Sequence, residues 1–241
     1  MSTSKIEWTK KTWNPISGCT KISPGCQHCY AEKMATTRLR GRCGYDQDHP
    51  FQVTFHPDRL ERYLHRKKPT VIFVCSMGDL FHSDVEDSWI DQVFEIIRQC
   101  PQHTFQILTK RAGRMFAAVE YYVQRNILPP NIWFGVTVES PEYLDRLVTL
   151  STLPLTRFVS IEPMLTPFPD LRLFAKDSID WVIVGAESGS RARPMREEWV
   201  TPILHRCQEQ GIPFFYKQRI LNGKKVSLPT LEGRQWAQMP G

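Results

Sequence analysis

From residue 69 onward the 241-residue chain alternates short apolar, β-branched runs with longer amphipathic segments, and this alternation restricts the available folds more than any other feature. The apolar runs are Thr70 to Cys75, Thr104 to Leu108, Asn131 to Val138, Arg157 to Ile161, Asp180 to Val184 and Pro213 to Tyr216. Each has strand length and is bounded by turn residues. Between them, Glu86 to Gln99 repeats Trp89, Val93, Ile96 and Ile97 at helical spacing, and Arg111 to Arg125, Pro141 to Leu150 and Arg196 to Gln210 do the same. Strand, helix, strand in succession gives parallel pairing. Strands that are apolar on both faces need cover on both, so the candidates are a barrel and a doubly wound sheet.

The front end reads differently: Lys11 to Ile16 as a first strand, a cysteine-rich loop, a helix from about His28 to Leu39, and a short strand at Phe51 to Phe55. Glu162 to Pro169 is a proline-rich loop after a strand. Residues 219–241 show turn residues and weak periodicity. The expected organisation is one body over 1–218 and an irregular C-terminal tail over 219–241. A hydrophobic fraction of 41% beside 23% charged residues suffices for a buried core and rules out disorder as the main description. No apolar run approaches the ~20 residues that cross a bilayer. Met1 to Lys11 is polar and charged, unlike a signal peptide. A soluble, cytoplasmic protein is the expectation. The net charge of +6 favours acidic partners, either nucleic acid or a phosphorylated small molecule.

Each apolar run ends in hydrogen-bonding or charged residues: Ser76-Met77-Gly78-Asp79, Thr109-Lys110-Arg111, Thr137 and Glu139, Glu162, Glu187-Ser188-Gly189, and Lys217-Gln218. In parallel α/β folds this C-terminal strand edge is where ligands bind. Pro163 restricts Glu162 to an extended backbone, which suits a pocket residue rather than a helical one. Glu139 and Glu187 have a second reading as helix-start residues that satisfy orphan amides. The glycines of Gly185 to Gly189 do not match a dinucleotide-binding fingerprint.

Seven cysteines, an odd number, argue against a disulfide framework. Cys19, Cys26 and Cys29 lie within eleven residues, in a polar loop that opens a helix, where the helix terminus favours thiolates. Cys75, Cys100 and Cys207 fall on apolar strand or helix positions and read as packing residues, while Cys43 lies in a loop. Three thiolates admit two metal readings. One is zinc, with His28 or Cys43 as fourth ligand. The other is a cubane iron-sulfur cluster, which leaves one iron open to a small ligand.

Three cysteines in a loop after a first strand, then a helix and a series of β-α units, resemble the radical S-adenosylmethionine enzymes. More closely, the stretch Ile6 to Ala31, CSMGDLFH at 75–82, LTKR at 108–111, SIEPML at 160–165 and VGAESG at 184–189 resemble a phage-associated family of unknown function, to about Gln218. The resemblance implies an α/β fold, a partial parallel (β/α)6 TIM-type barrel with the cysteine loop at the C-terminal strand edge. The familiar cysteine spacing is C-x3-C-x2-C, and here it is C-x6-C-x2-C, with His28 where an aromatic residue usually precedes the third cysteine. The resemblance implies Cys19, Cys26 and Cys29 as ligands of a 4Fe-4S cluster. It places Ser76, Gly78 and Asp79 at the methionine amino group of S-adenosyl-L-methionine. It places Glu139, Glu162, Gly185, Glu187 and His28 among further cofactor contacts. The activity implied is generation of a 5′-deoxyadenosyl radical, with an electron donor protein as partner. No side chain is marked as catalytic toward a substrate. The competing class is a zinc-stabilised (Zn2+) nucleic-acid-binding or adaptor protein.

Overall fold

The computed structural model describes residues 4, 6–189 and 191–241, so residues 1–3 and 5 of the polar N-terminal stretch lie outside the described residues. The chain forms two compact units, Met1–Ile22 with Cys29–Trp133, and Ser23–His28 with Phe134–Gly241.

The first unit holds β1 (Lys11–Trp13), β2 (Ile16–Ser17), α1 (Tyr30–Thr37), β3 (Thr54–Phe55), β4 (Val71–Val74), α2 (Asp87–Gln99), β5 (Thr104–Thr109) and α3 (Ala112–Gln124). Strand β6 (Ile132–Thr137) begins there and ends in the second unit. β1, β4 and β5 run parallel, with Thr12 opposite Phe73 and Phe73 opposite Gln106. The α2 stripe of Ile90, Val93, Phe94 and Ile97 is buried, as are Met115, Val119 and Tyr122 of α3. Phe94 meets Tyr122 with ring centroids 4.6 Å apart. Burial of each such side chain contributes about 1.5–3 kcal/mol, which fixes these helices where propensity alone would not.

The second unit continues with α4 (Leu144–Ser151), β7 (Thr156–Ile161), β8 (Trp181–Gly185), α5 (Glu197–Gln210), β9 (Phe214–Leu221), β10 (Lys224–Ser227), β11 (Thr230–Leu231) and β12 (Arg234–Gln235). β7, β8 and β9 are parallel, and β10 pairs antiparallel with β9. Gly211, at φ +63°, ends α5 in the left-handed conformation that glycine adopts without a Cβ penalty. The crossover from β7 to β8 has no helix; in its place a loop buries Phe168, Phe174 and Ile179.

The structure departs from the sequence reading in three places. The first strand stops at Trp13 because Pro15 has no N–H to donate, and Ile16–Ser17 pairs instead with Thr54–Phe55. The helix after the cysteine loop spans Tyr30–Thr37 with Cys29 at its N-cap, so neither His28 nor Leu39 is helical. Residues 219–241 are organised rather than irregular: β9 runs on to Leu221, and Asn222 and Gly223, both at positive φ, turn it into β10. Further on, the chain returns to β9. Tyr216 N–H donates to Trp236 O at 2.8 Å, Gln238 N–H to Phe214 O at 3.1 Å, and Trp181 Nε1 to Gln238 O at 2.8 Å. Trp236 is buried against Phe214. Among the described residues no helix is long and apolar enough to cross a membrane.

Candidate functional site

In the first unit the cysteine loop is seated by two glycines. Gly18 has φ +86°, and a Cβ there would stand 1.9 Å from Gln52 O. Its N–H donates to Met77 O at 2.9 Å. A Cβ on Gly78 would stand 2.9 Å from Gly18 O. No side chain fits at either position, so the backbone before Cys19 lies directly on the turn after β4. That turn is held from the other side by Asn14, whose Oδ1 accepts from Ser76 Oγ at 3.1 Å and Met77 N–H at 3.0 Å. Tyr30, next to Cys29, donates its hydroxyl to Ser76 O.

Asp79 is buried, and both its oxygens are engaged. Oδ1 accepts from Phe81 N–H at 3.0 Å and Thr109 Oγ1 at 2.7 Å, and Oδ2 accepts from Arg111 Nη1 at 2.9 Å. The same Nη1 lies 3.4 Å from Cys19 Sγ, while Nη2 donates to Thr20 O and Thr20 Oγ1, each at 3.1 Å. Burial opposes the guanidinium charge, but Asp79 and the Cys19 sulfur outweigh it and hold the Arg111 pKa above its usual value. His82 Nδ1 accepts from Asp84 N–H at 3.1 Å, so its Nε2 is the nitrogen that donates to Thr20 Oγ1 at 2.7 Å. Burial and the nearby Arg111 push the His82 pKa down, consistent with that neutral ring.

In the second unit the segment Ser23–His28 is fastened by two carboxylates. Glu139, fully buried, accepts from Gly25 N–H at 3.3 Å through Oε1 and from Arg146 Nη1 at 2.9 Å through Oε2. Arg146 also donates to Thr137 O at 2.9 Å. Glu187 Oε2 pairs with His28 Nδ1 at 3.0 Å and with Arg193 N–H at 2.9 Å, while Arg193 Nη2 reaches Glu187 Oε1 and also Pro24 O, the latter at 3.0 Å. Burial works against the Glu187 charge, yet the hydrogen bonds from Arg193 and His28 prevail and bring its pKa down to about 2. Ser23 Oγ lies 3.7 Å from Cys26 Sγ.

Beside these, Glu162 pairs with Lys217 and lies 3.4 Å from Gln218 Nε2, which donates to Ala186 O at 2.6 Å. Gly185 completes this group, since a Cβ on it would stand 3.4 Å from Glu162 Cγ. Gln218 Oε1 is buried and has no hydrogen-bond partner among the described residues.

Within each unit, then, the residues singled out from the sequence fall into groups. Cys19, Ser76, Gly78 and Asp79 belong to one network; Glu139, Glu187 and His28 hold the loop segment that carries Cys26; Glu162 and Gly185 share a third. Sequence reasoning missed Asn14, Tyr30, Arg146 and the role of Arg193. Only Asn14 carried a local signal, as a turn-forming residue before proline. Cys19, Cys26 and Cys29 are partly buried and outside any disulfide, Cys43 is exposed, and Cys75, Cys100 and Cys207 are buried. Burial raises the thiol pKa values of that last trio, Cys207 to about 12, which keeps them protonated packing residues. Three unbridged thiols in a polar loop, one of them faced by a guanidinium, are a donor set that suits an iron-sulfur cluster. Among the described residues no three His, Cys, Asp or Glu side chains converge on a single-ion site.

A family model described as "Protein of unknown function (DUF5131)" matches residues 3–240. The chain belongs to the DUF5131 family. No curated protein matches its sequence. Among solved structures, a spore photoproduct lyase double mutant with bound AdoMet and dinucleoside spore photoproduct aligns with TM-score 0.50 and 11% identity, over 87% of the DUF5131 chain and 64% of the lyase. A single mutant of the same enzyme aligns with TM-score 0.48 and 11% identity, over 85% and 62% of the two chains. The DUF5131 chain thus spans less than two thirds of the length of these lyases. At that identity the likeness concerns the fold alone, an α/β fold whose strands are mostly parallel.

Proposed function

We propose that the DUF5131 chain is a radical S-adenosylmethionine enzyme in which Cys19, Cys26 and Cys29 bind a 4Fe-4S cluster and the cofactor occupies its open iron. The observation that carries this reading is the three-thiol loop, seated by Gly18 on the turn after β4, in a chain with the radical-enzyme fold. When bound, the cluster and S-adenosylmethionine supply a one-electron cleavage that yields a radical able to take a hydrogen atom from substrate.

The protein's own residues have separate tasks. Gly78 keeps the turn after β4 free of side-chain bulk, so that its backbone approaches the loop and its ligand. Asp79 and Arg111 provide charge beside Cys19. Glu139 and Glu187 fix the loop through Gly25, His28 and Arg193. Glu162, Lys217 and Gln218 offer a carboxylate, an ammonium and an amide for polar groups of cofactor or substrate. The net charge of +6 supports a nucleic-acid or nucleotide substrate, and the chemistry requires an electron donor protein. The zinc-stabilised adaptor reading has no comparable support from the fold.

Anaerobic reconstitution with iron and sulfide tests the proposal. Four irons per chain, an electron paramagnetic resonance signal of a reduced 4Fe-4S cluster and a change in that signal on adding S-adenosylmethionine are expected. Stoichiometric zinc in protein purified without oxygen, with no cluster after reconstitution, would overturn it. Binding to DNA and RNA that weakens steeply with salt is the expected sign of the substrate class.

A further inference from the structure

Arg111 stands beside Cys19, and its surroundings leave the guanidinium little freedom. Asp79 holds Nη1 at 2.9 Å, the carbonyl and hydroxyl of Thr20 hold Nη2 at 3.1 Å, and the backbone N–H of Arg111 donates to Thr109 Oγ1 at 2.9 Å. Thr109 in turn donates to Asp79, and His82 donates to Thr20. The side chain of Arg111 is 13% exposed and that of Asp79 is 7% exposed. A planar fork pinned on both nitrogens directs its remaining Nη1–H at the Cys19 sulfur 3.4 Å away.

A general cysteine-binding loop does not need this arrangement. The loop is already seated by Gly18 against Gly78, and Thr20 is already held by His82. What the guanidinium adds is a positive charge and an N–H···S hydrogen bond at one chosen thiolate, while Asp79, bonded to the same Nη1, offsets part of that charge. Hydrogen bonds to cysteine sulfurs and local net charge are two of the levers that set the reduction potential of an iron-sulfur centre.

We infer that Arg111 and Asp79 form an opposed pair that sets the reduction potential of the metal centre held through Cys19, Arg111 raising it and Asp79 lowering it. This inference rests on the proposed cluster. Arg111 is a positioning residue, acting through Cys19 and not on substrate. Charge added by reduction is stabilised by the guanidinium and destabilised by the carboxylate, so the two side chains act with opposite sign although they are bonded to each other.

The test is a redox titration of the reconstituted protein, without S-adenosylmethionine, read by electron paramagnetic resonance, with iron content and thermal unfolding measured on the same samples. Arg111→Gln is expected to move the midpoint to more negative potential, Arg111→Lys to restore part of the shift because it keeps the charge without the fork, and Asp79→Asn to move the midpoint to more positive potential. A merely structural role would shift both positions in the same direction or not at all, and either result at full iron loading overturns the inference while leaving the proposed cluster intact. Should Arg111→Gln fail to load iron, Arg111→Lys and Asp79→Asn decide alone, and wild-type midpoints in both overturn it. Failure of the unaltered protein to bind a cluster rejects the proposed function itself.

Discussion

Gly25 and Glu139 are packed so closely that a methyl group on the glycine would stand 2.9 Å from the carboxylate oxygen. That oxygen accepts the Gly25 N–H, and its partner oxygen is held by buried Arg146, so the carboxylate cannot retreat. Gly25→Ala is therefore expected to cost about 1–3 kcal/mol, as overpacking does. Glu139→Ala leaves Arg146 buried without its partner and is expected to cost about 3–5 kcal/mol. Urea denaturation of the two variants measures both, and a neutral Gly25→Ala would show that the loop has room to shift.

Glu187 gives a pH signature. Its folded-state pKa of about 2 lies below its ordinary value of 4.5, so it contributes stability that is fully present above pH 4.5 and is lost as pH falls toward 2. The full span is worth about 3 kcal/mol at 1.36 kcal/mol per pH unit. Unfolding free energies at pH 6 and pH 3 are expected to differ less in Glu187→Gln than in the unaltered protein. Equal differences would mean that Arg193 and His28 do not hold the carboxylate in solution.

His56 acts in a higher window. It is buried, with Nε2 2.7 Å from Ser17 Oγ. Burial, aided by Arg59 and opposed by Asp58, lowers its pKa from 6.5 to about 4. The unfolded chain then binds a proton between pH 6.5 and 4 that the folded chain refuses, so stability declines through that interval, by up to about 3 kcal/mol, and this contribution is constant below it. His56→Gln is expected to flatten the decline between pH 7 and pH 5, measured by chemical denaturation. An unchanged slope would assign it to other groups.

The seven cysteines are expected to divide on substitution. Serine at position 19, 26 or 29 should each abolish bound iron after reconstitution with little change in thermal stability. Cys43→Ser should retain the full iron complement. Cys207→Ser, which places a hydroxyl in an apolar interior, should cost about 1–3 kcal/mol with iron per folded chain unchanged. Iron analysis beside thermal unfolding separates the classes, and iron retained in two of the first three variants would contradict the ligand assignment.

Most of the sheet was legible because burial leaves a simple trace: β4, β5, β7 and β8 are apolar runs that the structure bounds within a residue or two, and α2 shows its buried stripe at regular spacing. The segment beyond 218 was not legible, because the many charges of Arg219, Lys224 and Lys225 mask a β-ribbon that is half exposed; the Asn222-Gly223 turn was its only sharp signal. The carboxylates at the strand ends could be chosen from the sequence, but their partners could not. Arg146 resembles any solvated helix cation until α4 folds against β6, and Arg193 sits in a run of arginines whose neighbours give no hint that Glu187 is its partner. The link from Arg111 to Cys19 crosses 92 positions of chain, a distance over which local patterning carries no information.

The return of residues 236–238 to β9 bears on how the molecule behaves among its own copies. A strand at the margin of a sheet offers a row of backbone donors and acceptors that can template a foreign strand, the first step toward aggregation. Here β10 engages Gln218 to Leu221 and the segment around Trp236 engages Phe214 to Tyr216, so β9 is occupied along nearly its whole length. A chain cut before Trp236 would keep β8 and β9 but lay the apolar half of that margin open to strands of neighbouring copies.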